Sequence, residues 1–422
     1  RASAADGAAA RLETMRQDPD RLSFEITARD GAARCGVLRT AHGEVHTPAF
    51  IPLATTGAVR GLSAREVEEL GYRLILGNTF HLFLRPGPQA LAERGGLHRF
   101  MGWERAIIPD AGGFQVFSLA HGSVADEIKG RRGNVAGHGS ILEIAEEGVR
   151  FRSYLDGSEH FMGPEESMAT QAAIGSDIAL AFDECTPFHV DYDYTARSTE
   201  RTHRWLDRCV RWHERHGPRR QALFGIVQGG IHPELRRASA ERVSAAQVDG
   251  LAIGGTLGED KPQMYEVLDF TLPHLPEVAP KHLLGIGEPD DLIAGIGRGI
   301  DIFDCAVPTR LGRHGMALAP LPGERYRLNV RSRALAADDG PLVEGCPCEA
   351  CNRHSRAYLH YLSRAEELTA VRLLTLHNLV YLERLVAGAR AAIAAGAFAA
   401  YGEALAAGRP PWDAVPTAAA GG

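Results

Sequence analysis

From residue 46 onward, short apolar runs recur along the chain at 49–55, 73–79, 105–110, 178–184, 222–229, 250–255, 282–287 and 300–307. Each is strand-like in length and composition. Between most of them the apolar positions take a helical period, at 63–71, 86–100, 164–175, 194–215, 232–248, 260–274 and 288–298. Ser63 and Glu66 form a capping-box pattern for the first of these helices, and Pro164 stands where a helix would begin. Eight strands alternating with helices predict a (β/α)8 barrel over residues 22–330. One crossover, 111–163, is too long. Within it Val149–Leu155, the turn pair Asp156-Gly157 and Glu159–Met162 read as a β-hairpin.

The flanks behave differently. Residues 1–21 are Ala-rich and polar and read as a disordered lead-in, not a targeting peptide. A cysteine-rich segment and helical residues 365–386 form a second small unit, 331–386. An Ala-rich helix near 388–406 and a Gly/Ala tail complete 387–422.

Composition adds limits. The 422 residues are 45% hydrophobic and 23% charged, ordinary for a globular chain with a large core. The net charge of −7 gives no overall positive field, so any nucleic-acid site must be a local patch. Lys129, Lys261 and Lys281 are the only lysines among 46 basic residues. Seven cysteines without a signal peptide point to a reducing, cytoplasmic setting, and no stretch reaches the length of a membrane span.

Candidate chemistry collects where the barrel pattern puts it. Working residues of such barrels sit at the C-terminal ends of the strands. Those ends carry Asn78, Asp110, Asp183, Gln228, Gly254-Gly255, Gly285-Ile286-Gly287 and Asp304. Asp304 ends an apolar run and is followed by a proline and an Arg-rich turn, a placement that suits either an acid capping a turn or a nucleophile, and the other strand-end residues favour the nucleophile. Cys346, Cys348 and Cys351 lie within six residues, a spacing typical of a zinc site. His354, His360 and His377 are each possible fourth ligands. Four protein ligands would make the metal structural. Residues 310–333 hold Arg310, Arg313, Arg325, Arg327, Arg331 and Arg333 against one acid, Glu324, a local basic patch suited to phosphates.

These motifs occur in one order: Asp110-Ala-Gly-Gly-Phe-Gln, Asp183-Glu-Cys185-Thr-Pro, Val227-Gln228-Gly-Gly, Phe303-Asp304-Cys-Ala-Val-Pro-Thr-Arg, Cys-x-Cys-x2-Cys and Thr-Leu-His377-Asn. Together, over roughly 22–390, they resemble the bacterial tRNA-guanine transglycosylases. The resemblance implies exchange of guanine at the wobble position of tRNAs with GUN anticodons (for Asp, Asn, His and Tyr) for preQ1, in queuosine synthesis. It implies Asp304 as nucleophile, Asp110 as general acid/base, and a covalent ribosyl-enzyme intermediate. It implies a base pocket of Asp110, Ala111, Gly112, Gly113, Phe114, Asp183, Cys185, Gln228, Gly254, Gly255 and Leu284, with Phe114 and Leu284 sandwiching the heterocycle. RNA would lie on Gly285, Ile286, Gly287, Glu288, Pro289, Asp290 and Asp291, and on Thr309, Arg310, Leu311, Gly312 and Arg313. The implied zinc ligands are Cys346, Cys348, Cys351 and His377, with a homodimer as the assembly and no redox or organic cofactor.

Two displacements at C1′ with retained configuration agree with a paired acid and nucleophile. Arginines or a backbone donor are expected to keep Asp304 ionised. Three positions depart from the family pattern: Ala111 where Ser is usual, Leu284 where Met is, and Thr256 where Leu is common. Residues 130–142 form an unusually long loop. A non-catalytic RNA-binding subunit on the same barrel is the alternative; a paired acid and nucleophile argues against it.

Overall fold

A computed structural model describes residues 18–120, 141–186, 190–255 and 257–415. Three short antiparallel strands open it: β1 (Ser23–Asp30), β2 (Ala33–Thr40) and β3 (Gly43–Thr47). The barrel strands follow: β4 (Ala49–Pro52), β5 (Leu74–Gly77), β6 (Ala106–Pro109) and, after the insertion, β10 (Ile178–Leu180), β11 (Ala222–Val227), β12 (Gly250–Ile253), β13 (Lys281–Leu283) and β14 (Ile302–Cys305). The insertion contributes β7 (Ile141–Ile144), β8 (Val149–Arg152) and β9 (Glu159–Met162).

Six barrel strands pair in parallel in the order β10-β11-β12-β13-β14-β4, and β5 pairs with β6. A parallel bridge Leu53–Leu76 joins β4 to β5. The Asp177 N–H donates to the Ile107 carbonyl at 2.9 Å and joins β6 to β10. The eight expected strands are thus present, arranged as a (β/α)8 barrel.

Alternation explains the layers. Leu74, Leu76, Ile108, Ile178, Leu180, Phe224, Ile226 and Ile302 share one apolar cluster, the barrel interior. The intervening Ile75, Ile107, Ala179, Leu223, Ile253 and Phe303 pack with helix residues such as Val67 and Leu91 outside. Phe24, Leu38 and Val45 of the first sheet, with Leu22 just ahead of it, join the interior cluster and close one end of it. There Arg34 forms a buried bidentate pair with Asp301. Asp177, Asp249 and Asp301 accept the N–H groups of Ile107, Leu223 and Lys281 on neighbouring strands, so the acids at the strand starts are structural.

The helix 63–71 forms as Ala64–Glu69 with the Ser63/Glu66 capping box made. The segment 86–100 is broken by Pro86, Gly87 and Gly95 into Pro88–Glu93 and Gly96–Met101, with Thr79–Leu84 ahead of them. The hairpin at 149–162 forms as expected, and β7 adds a third strand. The two expected helices at 365–386 and 388–406 differ from what forms. One helix runs Leu368–Ala394, since Gly388 is buried mid-helix against Tyr401, and the break comes at Gly396. Residues 1–17, 130–140, Thr256 and 416–422, on which several sequence expectations fall, lie outside the described residues. Among the described residues no helix is long and apolar enough to cross a membrane.

Candidate active site and metal centre

β6 delivers Asp110 to the rim. Its carboxylate accepts from Asn78 Nδ2 at 2.5 Å, Thr79 N–H at 2.9 Å and Gly112 N–H at 3.2 Å. Gly112 has φ +87°, and a Cβ on Gly113 would lie 2.2 Å from the Asp183 carbonyl oxygen. Glycine is needed there because the 110–114 turn lies directly on the end of β10. Asp183 is buried and accepts from Gln228 Nε2 at 2.6 Å. Gln228 abuts Gly254 and Gly255, and Leu284 Cδ1 would lie 3.5 Å from a Cβ on Gly254. Cys185 is close by, with the Gly255 N–H on its sulfur. Phe114 is 38% exposed.

Asp304 is the last residue but one of β14 and is buried. Its Oδ1 accepts from His282 Nε2 at 2.9 Å and from Gly285 N–H at 3.1 Å. Its Oδ2 meets no hydrogen-bond partner among the described residues. The expected backbone donor is therefore present, but the side-chain donor is a histidine and not an arginine.

Dehydration raises Asp110 to about 7, with the Asp304 charge adding to the rise and Thr79 and Gly112 opposing it. Burial likewise raises Asp183 to about 7, against the Gln228 hydrogen bond. Burial also pushes the Cys185 thiol up.

Sequence reasoning missed His282 and Arg236. His282 pairs in register with Ile302, an interior residue, so it and Asp304 two positions on share the interior face. A polar residue inside an apolar run was the trace in the sequence, and its parity comes from the pairing register. Arg236 is buried and donates to the carbonyls of Gly230, Val227 and Gly254, fixing the pocket floor.

The two expected RNA segments are only partly reachable. In 309–313, Thr309, Leu311 and Gly312 are buried, while Arg310 and Arg313 reach the surface. In 285–291, Gly287, Glu288, Pro289 and Asp291 are buried, whereas Gly285, Ile286 and Asp290 are reachable. Arg325 and Arg327 both bind Glu288, so part of the basic patch is neutralised internally.

Cys346, Cys348, Cys351 and His377 converge, their ligand atoms all within 4.8 Å of one another. The three sulfurs lie 3.6, 3.4 and 3.3 Å from His377 Nδ1. Tetrahedral bonds of about 2.3 Å to sulfur and about 2.0 Å to nitrogen require a separation of roughly 3.5 Å. The donor set therefore fits a metal ion. His377 Nε2 lies 2.8 Å from the Leu318 carbonyl, which fixes the ring. His354 and His360 stand apart, on Tyr358 and the Val330 carbonyl.

A parallel barrel that carries three carboxylates and a buried amide at its strand ends, with a Cys3His cluster after the last barrel strand, has the layout of a barrel enzyme. Comparison with known proteins makes this specific. A family model described as Queuine tRNA-ribosyltransferase matches residues 30–411. A protein of that name from Roseiflexus sp. (strain RS-1) is 51% identical over 390 residues, covering 90% of this chain and 97% of that protein. One from Symbiobacterium thermophilum is 46% identical over 398 residues, covering 94% and 91%. The chain belongs to the queuine tRNA-ribosyltransferase family, and it is a transferase.

Proposed function

We propose that this chain is a tRNA-guanine transglycosylase that exchanges the wobble guanine of GUN-anticodon tRNAs for preQ1. The observation that carries the reading is the pair of unlike carboxylates on one rim. Asp304 has one oxygen held by two donors and the other unencumbered. Asp110 is tuned to about 7, where it can give and take a proton.

Asp304 Oδ2 attacks C1′ of the target nucleotide and the C1′–N9 bond breaks. The departing guanine takes a proton from Asp110. PreQ1 then enters, Asp110 takes its ring proton, and N9 attacks C1′ as the Asp304 ester bond breaks. Two inversions retain configuration, and the RNA backbone is never cut. Asp183 and Gln228 read the polar edge of the base, Phe114 and Leu284 cover its faces, and Arg310 and Arg313 hold flanking phosphates. Cys346, Cys348, Cys351 and His377 would hold a structural zinc, which ties the Cys loop to the Leu368–Ala394 helix. By family likeness the enzyme works as a cytoplasmic homodimer.

The direct test is the mass of unmodified tRNA after incubation with enzyme and preQ1, with incorporation of labelled guanine alongside. Base exchange without strand cleavage is expected. No incorporation of either base at any enzyme concentration would favour a non-catalytic RNA-binding subunit.

A further inference from the structure

The insertion carries an exposed aromatic ring that neither the base pocket nor the arginines account for. Tyr154 sits in the β8–β9 turn and is 53% exposed. Its position is fixed from several sides. The Tyr154 hydroxyl lies 2.8 Å from His81 Nδ1, and the two rings meet edge-on at 5.4 Å. Phe80 stacks near it at 6.2 Å, backed by Phe151 at 5.2 Å, and both phenylalanines are buried. The turn itself is tied by Ser153 N–H to the Ser158 carbonyl at 2.8 Å and by Leu155 N–H to Ser153 Oγ at 3.1 Å.

This ring connects directly to the reacting end of the barrel. The His81 N–H donates to Asn78 Oδ1 at 2.9 Å, and Asn78 Nδ2 donates to Asp110. The Arg60 charge acts on His81 and also on Arg313, whose other cationic neighbour is Arg310. An exposed aromatic ring held in one orientation is a platform on which bases of single-stranded nucleic acid stack. Rings of this kind are sequence-tolerant, because every base has a π-face.

We propose that Tyr154, oriented by His81 and backed by Phe80, is a stacking platform for an unpaired nucleobase beside the exchanged nucleotide. Arg60, Arg310 and Arg313 neutralise the adjoining phosphates. The insertion then serves to hold the loop open once the target base has left the stack. This rests on the reading of the chain as an enzyme acting on RNA.

The experiment compares wild type, Tyr154→Phe and Tyr154→Ala on intact tRNA and on anticodon-loop RNAs with a single abasic residue at each loop position beside the target. For Tyr154→Ala a KM for RNA raised about tenfold is expected, with an unchanged salt slope, because stacking releases no counterions. Tyr154→Phe, which keeps the ring, stays close to wild type. One abasic position weakens wild type by a similar factor and leaves Tyr154→Ala unaffected, the non-additivity of a direct contact. Equal KM values for wild type and Tyr154→Ala, or abasic penalties identical in both, would overturn the platform while leaving the transferase reading intact. If wild type exchanges no base at all, the transferase reading fails, and the same abasic scan read by equilibrium binding still decides the platform.

Discussion

His282 Nε2 lies 2.9 Å from Oδ1 of Asp304, the oxygen that also accepts the Gly285 N–H. Because Nε2 faces the carboxylate, it carries the ring hydrogen, and Nδ1 is buried with no partner among the described residues. The consequence is a carboxylate anchored by one oxygen and presented by the other. His282→Phe removes one of the two anchors. The expected result is a kcat lower by about tenfold to a hundredfold with KM for RNA little changed, and partial rescue in His282→Gln. An unchanged kcat in His282→Phe would remove the histidine from the positioning of Asp304.

Asp110 and Asp183 are both raised from the ordinary carboxylate range to about 7. Below about pH 4 they are protonated in folded and unfolded chains alike. Between there and pH 7 the unfolded chain releases these protons and the folded one retains them, so each group makes folding less favourable as pH rises. Asp110→Asn and Asp183→Asn should therefore stabilise the protein at pH 8 by about 1–3 kcal/mol and much less at pH 4. Exchange should be abolished in the first and base binding impaired in the second. Melting curves at the two pH values check this. A destabilised Asp110→Asn at pH 8 would contradict the raised carboxyl.

Arg310 and Arg313 reach the surface, whereas Arg325 and Arg327 are engaged by Glu288. Arg310→Ala and Arg313→Ala should each weaken tRNA binding and reduce the salt slope by about 0.7–0.9. Arg325→Ala should leave the slope nearly unchanged. The measurement is log Kd against log salt. Equal slopes for Arg313→Ala and wild type would take this turn out of the phosphate track.

The Cys3His cluster links the 346–351 loop to the Leu368–Ala394 helix and, through His377, to Leu318. Chelation should lower the melting temperature and expose amides of those three segments first in hydrogen exchange, with activity falling in step. Activity lost while exchange protection stays intact would place the metal in the chemistry and not in the scaffold.

The barrel and its rim were legible because buried parallel strands are nearly continuous apolar runs, and a polar residue closing such a run stands out. Asp110, Asp183, Gln228 and Asp304 were singled out in this way as strand-end residues, and the spacing of Cys346, Cys348 and Cys351 marked a cluster that fits a metal ion. Three things were not legible. The first sheet, Ser23–Thr47, alternates too weakly to show that it plugs the barrel. His282 needed strand parity across two pairing partners, which only the register supplies. The basic patch could be counted, but Glu288 reaches two of its arginines from a segment 37 and 39 residues away in sequence.

The most direct measurement is a denaturing gel, with intact mass analysis, of enzyme quenched while turning over tRNA. A protein–RNA adduct is expected with wild type, and none with Asp304→Asn, although that variant still binds tRNA. An adduct of undiminished yield in Asp304→Asn would place the bond to C1′ on another residue and contradict the assignment of Asp304 as nucleophile.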